Sequence, residues 1–239
     1  MATQATGNAK NILVGASPLF LTVEDSTVSG YVENMEPGAA KSFEANKNRK
    51  VPAYDSTKSY TDTLNAIDTA TGASEAANGA AYRNVGYTNN GLQITYNPTY
   101  GSVTVDQLLD TAKLFKESME VMIATEMSEG TLENILVVFG QKKATLNSGV
   151  LGIEAGALGV APTERQLIAI GQAPTTAQSS TTERVYYARR VLSVQQSQFS
   201  LARNNPTTFP VTFRLLPSGD SAYAGSEYGK IIDRTWTPA

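Results

Sequence analysis

The chain has 239 residues, enough for one sizeable core, and its 22 acidic and 19 basic side chains leave a formal net charge of −3. This balance gives no general attraction to nucleic acid or to an anionic membrane. Cysteine and histidine are both absent, which excludes disulfides, thiolate nucleophiles, the usual zinc sites and histidine-based catalysis. Carboxylate or Ser-Lys chemistry remains open and would require a pocket with convergent carboxylates, but we expect no enzyme activity, no cofactor and no metal.

Membrane insertion by this chain is not expected either. No apolar run approaches the length of a spanning helix, and residues 1–10 lack the apolar centre of a signal peptide. The first apolar segment, NILVGASPLFLTV, is interrupted by Gly15 and Pro18. It predicts two short strands, or one bent strand, over residues 12–14 and 19–23.

Residues 25–81 differ from the rest in composition, being rich in Ala, Ser, Thr, Asn and Gly. Loops of this length inside a compact domain are usually functional or disordered. The scattered large side chains favour an arm that packs on a neighbouring subunit over a disordered insertion. The candidate contact residues are Tyr31, Met35, Phe43, Tyr54 and Tyr60.

The segment NVGYTNNGLQITYNPTYGSVTVDQLLD, residues 84–110, has the period-two pattern of a half-buried strand. Leu92, Ile94 and Tyr96 alternate with polar residues, and the pattern resumes at Val103 after a predicted break over residues 98–102. The polar side of this segment faces bulk solvent, an assembly partner or a channel, and periodicity alone leaves these alternatives open.

A further strand is predicted over residues 113–126 and a helix within SEGTLENILVVFGQ. In the strand, Lys116, Ser118 and Glu120 share one predicted face, while the other is apolar except at Glu117 and Thr125. In the helix, Thr131 is placed to cap the first turn and Gly140 to end the last. The apolar stripe expected from helical spacing is Leu132, Ile135, Leu136 and Phe139.

Later strands are predicted over residues 165–170, 182–192, 194–201, 208–216 and 230–235. Many strands, one helix and turn-rich joints indicate a mainly β fold, a β-sandwich or barrel with one flanking α-helix and a long inserted loop, as a single domain over residues 1–239.

The segment ERVYYARR holds Arg184, Arg189 and Arg190 beside two tyrosines. Alternating arginine and tyrosine can bind single-stranded nucleic acid, but strand geometry divides these arginines between two faces. Salt bridges at an interface between subunits are the favoured interpretation. The glycine-rich segments GIEAGALG and GSEYGK lack the spacing of phosphate-binding loops.

The order of these segments resembles that of major tail tube proteins of long-tailed bacteriophages. The resemblance is carried by residues 84–110, then KESMEVMIATEM and GTLENILVVFG, with NILVGASPLFL at the start and TTFPVTFRLLPSGD to EYGKIIDRTW at the end. It covers nearly the whole chain apart from residues 25–81 and 141–163.

The resemblance implies a virion protein of the phage tail, assembled in the host cytoplasm. Six subunits would form a ring, and rings would stack into a hollow tube in contact with tape-measure, baseplate and tail-terminator proteins, through which DNA passes. The residues implied to line the channel are Gln93, Thr95, Thr104, Asp106, Lys116, Ser118 and Glu120.

The alternatives are a β-sandwich binding module, such as a phage adhesin or a carbohydrate-binding domain, and a tube subunit of a secretion system. A binding module is expected to carry an aromatic platform, and Trp236, the one tryptophan, lies in the last predicted strand. The candidate channel residues then simply face bulk solvent.

Overall fold

The computed structural model of the protein describes residues 17–22, 57–71, 82–104, 111–142, 145–155, 158, 163–174, 182–195, 197–201, 203–204, 206–219 and 221–236. Within these ranges the chain forms two α-helices, α1 (Tyr60–Thr71) and α2 (Leu132–Val138), and a 3₁₀ turn at Ser221–Tyr223. The strands are β1 (Leu19–Thr22), β2 (Tyr82–Asn84), β3 (Thr88–Thr104), β4 (Thr111–Met127), β5 (Leu146–Asn147), β6 (Val150–Leu151), β7 (Arg165–Gln172), β8 (Thr182–Ser193), β9 (Phe209–Leu215) and β10 (Gly229–Thr235).

One antiparallel sheet runs in the order β2-β1-β7-β8-β9-β4-β3, with β10 also paired to β8, while β5 and β6 form a separate pair. The two halves of the sheet fold toward each other, because buried side chains of β1, β7 and β8 join those of β4 and β9 in one apolar cluster. The mainly β fold class predicted from the sequence is confirmed. Strands β7, β8, β9 and β10 match four of the predicted segments within a few residues.

Helix α2 packs against this cluster with a different side from the one its spacing predicts. The prediction that Leu132 and Phe139 belong to the buried stripe is wrong, since each is 37% exposed. The buried residues are Asn134, Leu136, Val137 and Val138. The predicted ends of the helix are confirmed by a hydrogen bond from the Asn134 amide to Thr131 Oγ1 at 3.2 Å and by a φ of +64° at Gly140.

Asn134 orients the helix. Its side-chain amide donates to the carbonyls of Val85 and Glu129, both at 2.9 Å, and its carbonyl accepts from Arg83 at 2.7 Å. A buried amide that is satisfied in this way must face the protein interior. With Asn134 facing the interior, the buried side of α2 differs from the side that helical periodicity predicts.

Helix α1 covers the opposite face of β1, β7 and β8. Tyr60 and Leu64, one helical turn apart, are fully buried against Phe20, Ile168 and Val185. The prediction of a loop throughout residues 25–81 is therefore wrong for Tyr60–Thr71, and two α-helices rather than one occur in the described ranges. The Ser59 hydroxyl starts α1 by accepting from the Asp62 amide at 3.0 Å.

Two strand predictions are also corrected. Residues 98–102 do not break β3, because Pro98 stays paired with Met119. Proline has no backbone N–H to donate, but in the described sheet β3 has no strand on its outer side that would accept one. The predicted strand over residues 194–201 is wrong for its described residues, 194–195 and 197–201, which are not in a strand. There the chain leaves the sheet so that Phe199 packs against Phe209, with ring centroids 4.7 Å apart.

Candidate functional site

The hairpin formed by β3 and β4 is the longest element of the described chain. Each strand has 17 residues, and at about 3.3 Å per residue each spans roughly 55 Å. On its other side β4 pairs with β9 only from Met122 to Met127. The strand pairs found in the described ranges leave residues 112–121 of β4, and the whole outer side of β3, as open edges.

An extra residue in β4 decides which side chains share a face of this hairpin. The register shifts between Thr99 and Tyr100 because Glu117 has no partner of its own, which is a β-bulge. The bulge moves Lys116 to the face that carries Tyr96. There the ammonium of Lys116 donates to the Tyr96 hydroxyl at 3.3 Å and lies 5.5 Å from the centre of its ring.

The resulting register gives the hairpin two chemically different faces. The polar face carries Gln93, Thr95, Asn97, Thr99, Ser118 and Glu120, and also Met122 and, toward the hairpin end, Val103, Lys113 and Phe115. The apolar face carries Ile94, Tyr96, Pro98, Tyr100, Leu114, Met119 and Val121, together with Ser102 and Lys116. The apolar face continues the core-facing side of β4, on which Ile123 and Met127 are buried.

The predicted channel residues are only partly brought together. Four of them lie on the polar face: Gln93, Thr95, Ser118 and Glu120. Lys116 lies on the apolar face, so its predicted place beside Ser118 and Glu120 is wrong. Thr104 is exposed and pairs with Thr111 beyond a further register shift, and Asp106 lies outside the described residues.

The polar face is acidic at mid-length. Glu120 forms an ion pair with Arg214 at 3.4 Å, and the Glu117 carboxylate lies directly over Gly101, where a larger side chain would clash with it. Glycine at this position therefore makes room for a second carboxylate along the same strand. The sequence alternation had separated Glu117 from Glu120, and the bulge brings both to one face.

The three arginines predicted to form interface salt bridges have partners in their own chain. Arg184 binds both carboxylate oxygens of Asp233, at 2.5 and 2.7 Å, and these hydrogen bonds lower the pKa of Asp233. Arg190 binds both carboxylate oxygens of Glu164 at 2.7 Å.

Arg189 is enclosed within the protein. Its side chain is fully buried, donates to the Ser226 carbonyl at 3.0 Å and lies 3.7 Å from the centre of the Tyr223 ring. It has no exposed surface to offer a second subunit. Tyr60 is enclosed in the same way, while Tyr31, Met35, Phe43 and Tyr54 lie outside the described residues.

Tyr60 takes part in a buried cluster that sequence reasoning missed. Its backbone amide donates to Glu183 at 2.8 and 3.1 Å, and Arg234 donates to the same carboxylate at 2.7 Å. Burial raises the pKa of the Glu183 carboxyl, although the hydrogen bonds from Tyr60 and Arg234 oppose this. Glu183 is 123 residues from Tyr60 and 51 residues from Arg234, so no local sequence pattern predicts the cluster.

An apolar groove lies where the hairpin leaves the body, and no local sequence pattern predicts it. It has a volume of about 190 Å³. The hairpin lines it with Ile94, Val121 and Ile123, while β8 and β10 contribute Tyr186 and Ile231. Because its walls come from three separate segments, only the folded sheet creates it.

The part of the chain that the structure describes contains no group of three acidic, histidine or cysteine side chains placed to hold a metal ion. None of its helices is long and apolar enough to cross a membrane. Among known proteins, no family model and no curated protein matches this chain. Function is therefore inferred from the geometry of the hairpin and its two faces.

Proposed function

We propose that this chain is the major tail tube subunit of a long-tailed bacteriophage. Six copies form a ring, rings stack into a hollow tube in the virion tail, and DNA passes through the tube. The observation that carries the proposal is the β3–β4 hairpin, which has two open edges and two exposed faces of different chemistry. The sequence resemblance points to the same class of protein.

Open edges of this length favour association. A two-stranded hairpin is marginally stable by itself in water, and unpaired edge N–H and C=O groups are templates for another strand. Strands β3 and β4 are antiparallel, so the β3 edge of one copy is complementary to the β4 edge of the next. Repetition of this contact around an axis closes a barrel and removes both edges.

The polar face then lines the channel. Most of its polar side chains are neutral or acidic, and its two cations in the described ranges are Arg214, which is paired with Glu120, and Lys113 near the hairpin end. Tight DNA binding requires cations that replace the counterions of the phosphates, and this face supplies few. DNA therefore passes without being held, and a tape-measure protein occupies the channel while the tube grows from the baseplate toward the tail terminator in the host cytoplasm.

Electron microscopy of the purified full-length chain over a series of concentrations tests this proposal. We expect hollow stacked rings whose amount rises with concentration, because each added copy pairs two further edges. Sedimentation velocity on the same samples gives the fraction assembled. A protein that stays monomeric at every concentration, including after addition of preformed tail fragments as nuclei, contradicts the proposal and favours a binding module.

A further inference from the structure

We propose that the apolar face of the hairpin and the groove beside it form a docking wall for the body of a second copy of this chain. The inference rests on the proposed function and deepens it, because it assigns the outer side of the barrel and its contact residues. The wall comprises the apolar face as defined above, together with the groove residues Tyr186, Tyr228 and Ile231.

The apolar face exposes more large apolar side chains than a soluble monomer needs. Tyr96 and Tyr100 are each 57% exposed, and Leu114 is 65% exposed. Since an aromatic side chain carries about 150–250 Å² of surface, the two tyrosines alone leave roughly 200 Å² uncovered. Contiguous patches of this kind mark interaction sites.

The groove gives this wall a depression that can accept a side chain of the partner. Ile231 on β10 is 66% exposed at its rim. The Tyr228 hydroxyl donates to the Met119 carbonyl at 3.2 Å and so fastens the C-terminal segment to the hairpin. An apolar cavity of about 150 Å³ admits a benzene-sized molecule, so a groove of about 190 Å³ accepts one aliphatic or aromatic side chain.

Continuity with the open edge identifies the occupant as a second copy. The wall borders residues 112–121 of β4, the edge at which the proposed barrel adds the next β3. A copy paired there brings its own body alongside the apolar face. Such a contact is heterologous, joining different surfaces of identical chains, and closes into a ring.

Charge agrees with this occupant. The wall carries the ammonium of Lys116, held beside Tyr96, whereas the chain as a whole has a net charge of −3. A carboxylate that the docked copy brings to this face would offset the charge of Lys116. Complementary charge of this kind orients partners and favours one face over the other.

Two charge-introducing variants with matched controls test the wall. Ile94→Glu and Ile231→Glu place a carboxylate in the groove of the wall, away from Lys116, whereas Gln198→Glu and Thr235→Glu place one at exposed positions outside the groove and both hairpin faces. We expect the wall variants to raise the concentration for half-assembly by about tenfold or more, because burying an unpaired charge costs more than the 1.4 kcal/mol that corresponds to a tenfold change. The controls should stay within about twofold of the parent protein, well under 1.4 kcal/mol.

The outcomes separate this inference from the proposed function. If the parent protein forms no tubes, the proposed function fails and the wall fails with it. If tubes form but the wall variants assemble like the parent, or the controls lose assembly equally, only the wall is overturned. Circular dichroism and thermal unfolding confirm that each variant is folded.

Cysteine labelling supplies a readout that does not depend on a disruptive charge. The chain has no cysteine, so Ile231→Cys and Thr95→Cys each create a unique thiol. We expect a small maleimide to label both variants as monomers. In tubes, position 231 should be protected while position 95, facing the open channel, stays reactive. Equal reactivity of the two positions in tubes overturns the wall.

Discussion

Glu183 connects the first helix to the last strand through a single side chain. It accepts hydrogen bonds from the Tyr60 amide, at the N-terminal end of α1, and from Arg234 on β10. Arg234 also donates to the Lys58 carbonyl at 3.3 Å. The N-terminus of a helix stabilises a charged carboxylate, whereas burial destabilises the charged form. Because these two effects oppose each other, the stability of the cluster depends on pH.

The pKa of Glu183 is raised on folding because burial disfavours its charged form. The folded chain then holds this proton more tightly than the unfolded chain, so the stabilisation is present at low pH and is lost as pH rises above about 4.3, the ordinary glutamate value, through the folded pKa. Glu183→Gln cannot lose this stabilisation. As pH rises through this window, we therefore expect its free energy of unfolding to increase relative to that of the parent protein. Urea denaturation at half-unit pH steps measures the difference, and a flat difference contradicts the prediction.

Asp233, on the neighbouring strand β10, provides a control whose pH dependence of stability has the opposite sign. Hydrogen bonds from Arg184 lower its pKa, so its stabilisation is present above the ordinary aspartate value and lost as pH falls through the folded pKa. Asp233→Asn should therefore be less stable than the parent protein near pH 7, with the deficit disappearing in acid. The same denaturation series detects this, and a deficit that persists in acid argues against an electrostatic origin.

At the level of elements, Asn134 determines how α2 sits on the sheet. It joins the helix to the carbonyls that precede β3 and follow β4, and to Arg83 of β2. Its side chain is fully buried. The helix has only seven residues, too few to be stable without tertiary contacts. The amide therefore fixes an orientation that apolar packing alone does not select.

Asn134→Ala should lower the free energy of unfolding by at least about 2 kcal/mol, because two carbonyls and a guanidinium lose a buried partner. Leu132→Ala on the same helix, at a position that is 37% exposed, should cost less than about 1 kcal/mol. Urea denaturation of both variants gives the comparison. Equal losses would mean that α2 is held by its apolar residues and not by the amide.

Local patterns in the sequence predicted the element types and many of their ends. Thr131 and Gly140 were identified because caps depend on neighbouring residues alone. The orientation of α2 was not predictable, since the partners of Asn134 include residues about fifty positions away. Lys116 was misplaced because a bulge interrupts period-two alternation without any mark in the sequence.

At the scale of the whole molecule, the body has a complete core but the hairpin does not. The buried cluster reaches Ile123 on β4, and beyond it the paired strands continue with both faces exposed. Side chains there bury little surface when the monomer folds, so they contribute little to its stability. The hairpin is consequently a low-stability unit in the monomer, and under the proposed function its remaining contacts come from other copies.

Hydrogen exchange distinguishes this assembly-dependent hairpin from one that is simply exposed. In the monomer, the amides of residues 112–121 that point away from β3 lack a strand partner in the described sheet, so these amides should exchange quickly. In tubes they should be strongly protected, because the β3 edge of the next copy accepts them. Strand β7, which pairs on both sides through β1 and β8, is the internal reference and should be protected in both states. If tubes form while residues 112–121 exchange as fast as in the monomer, copies associate through some other surface and the barrel of joined hairpins is wrong.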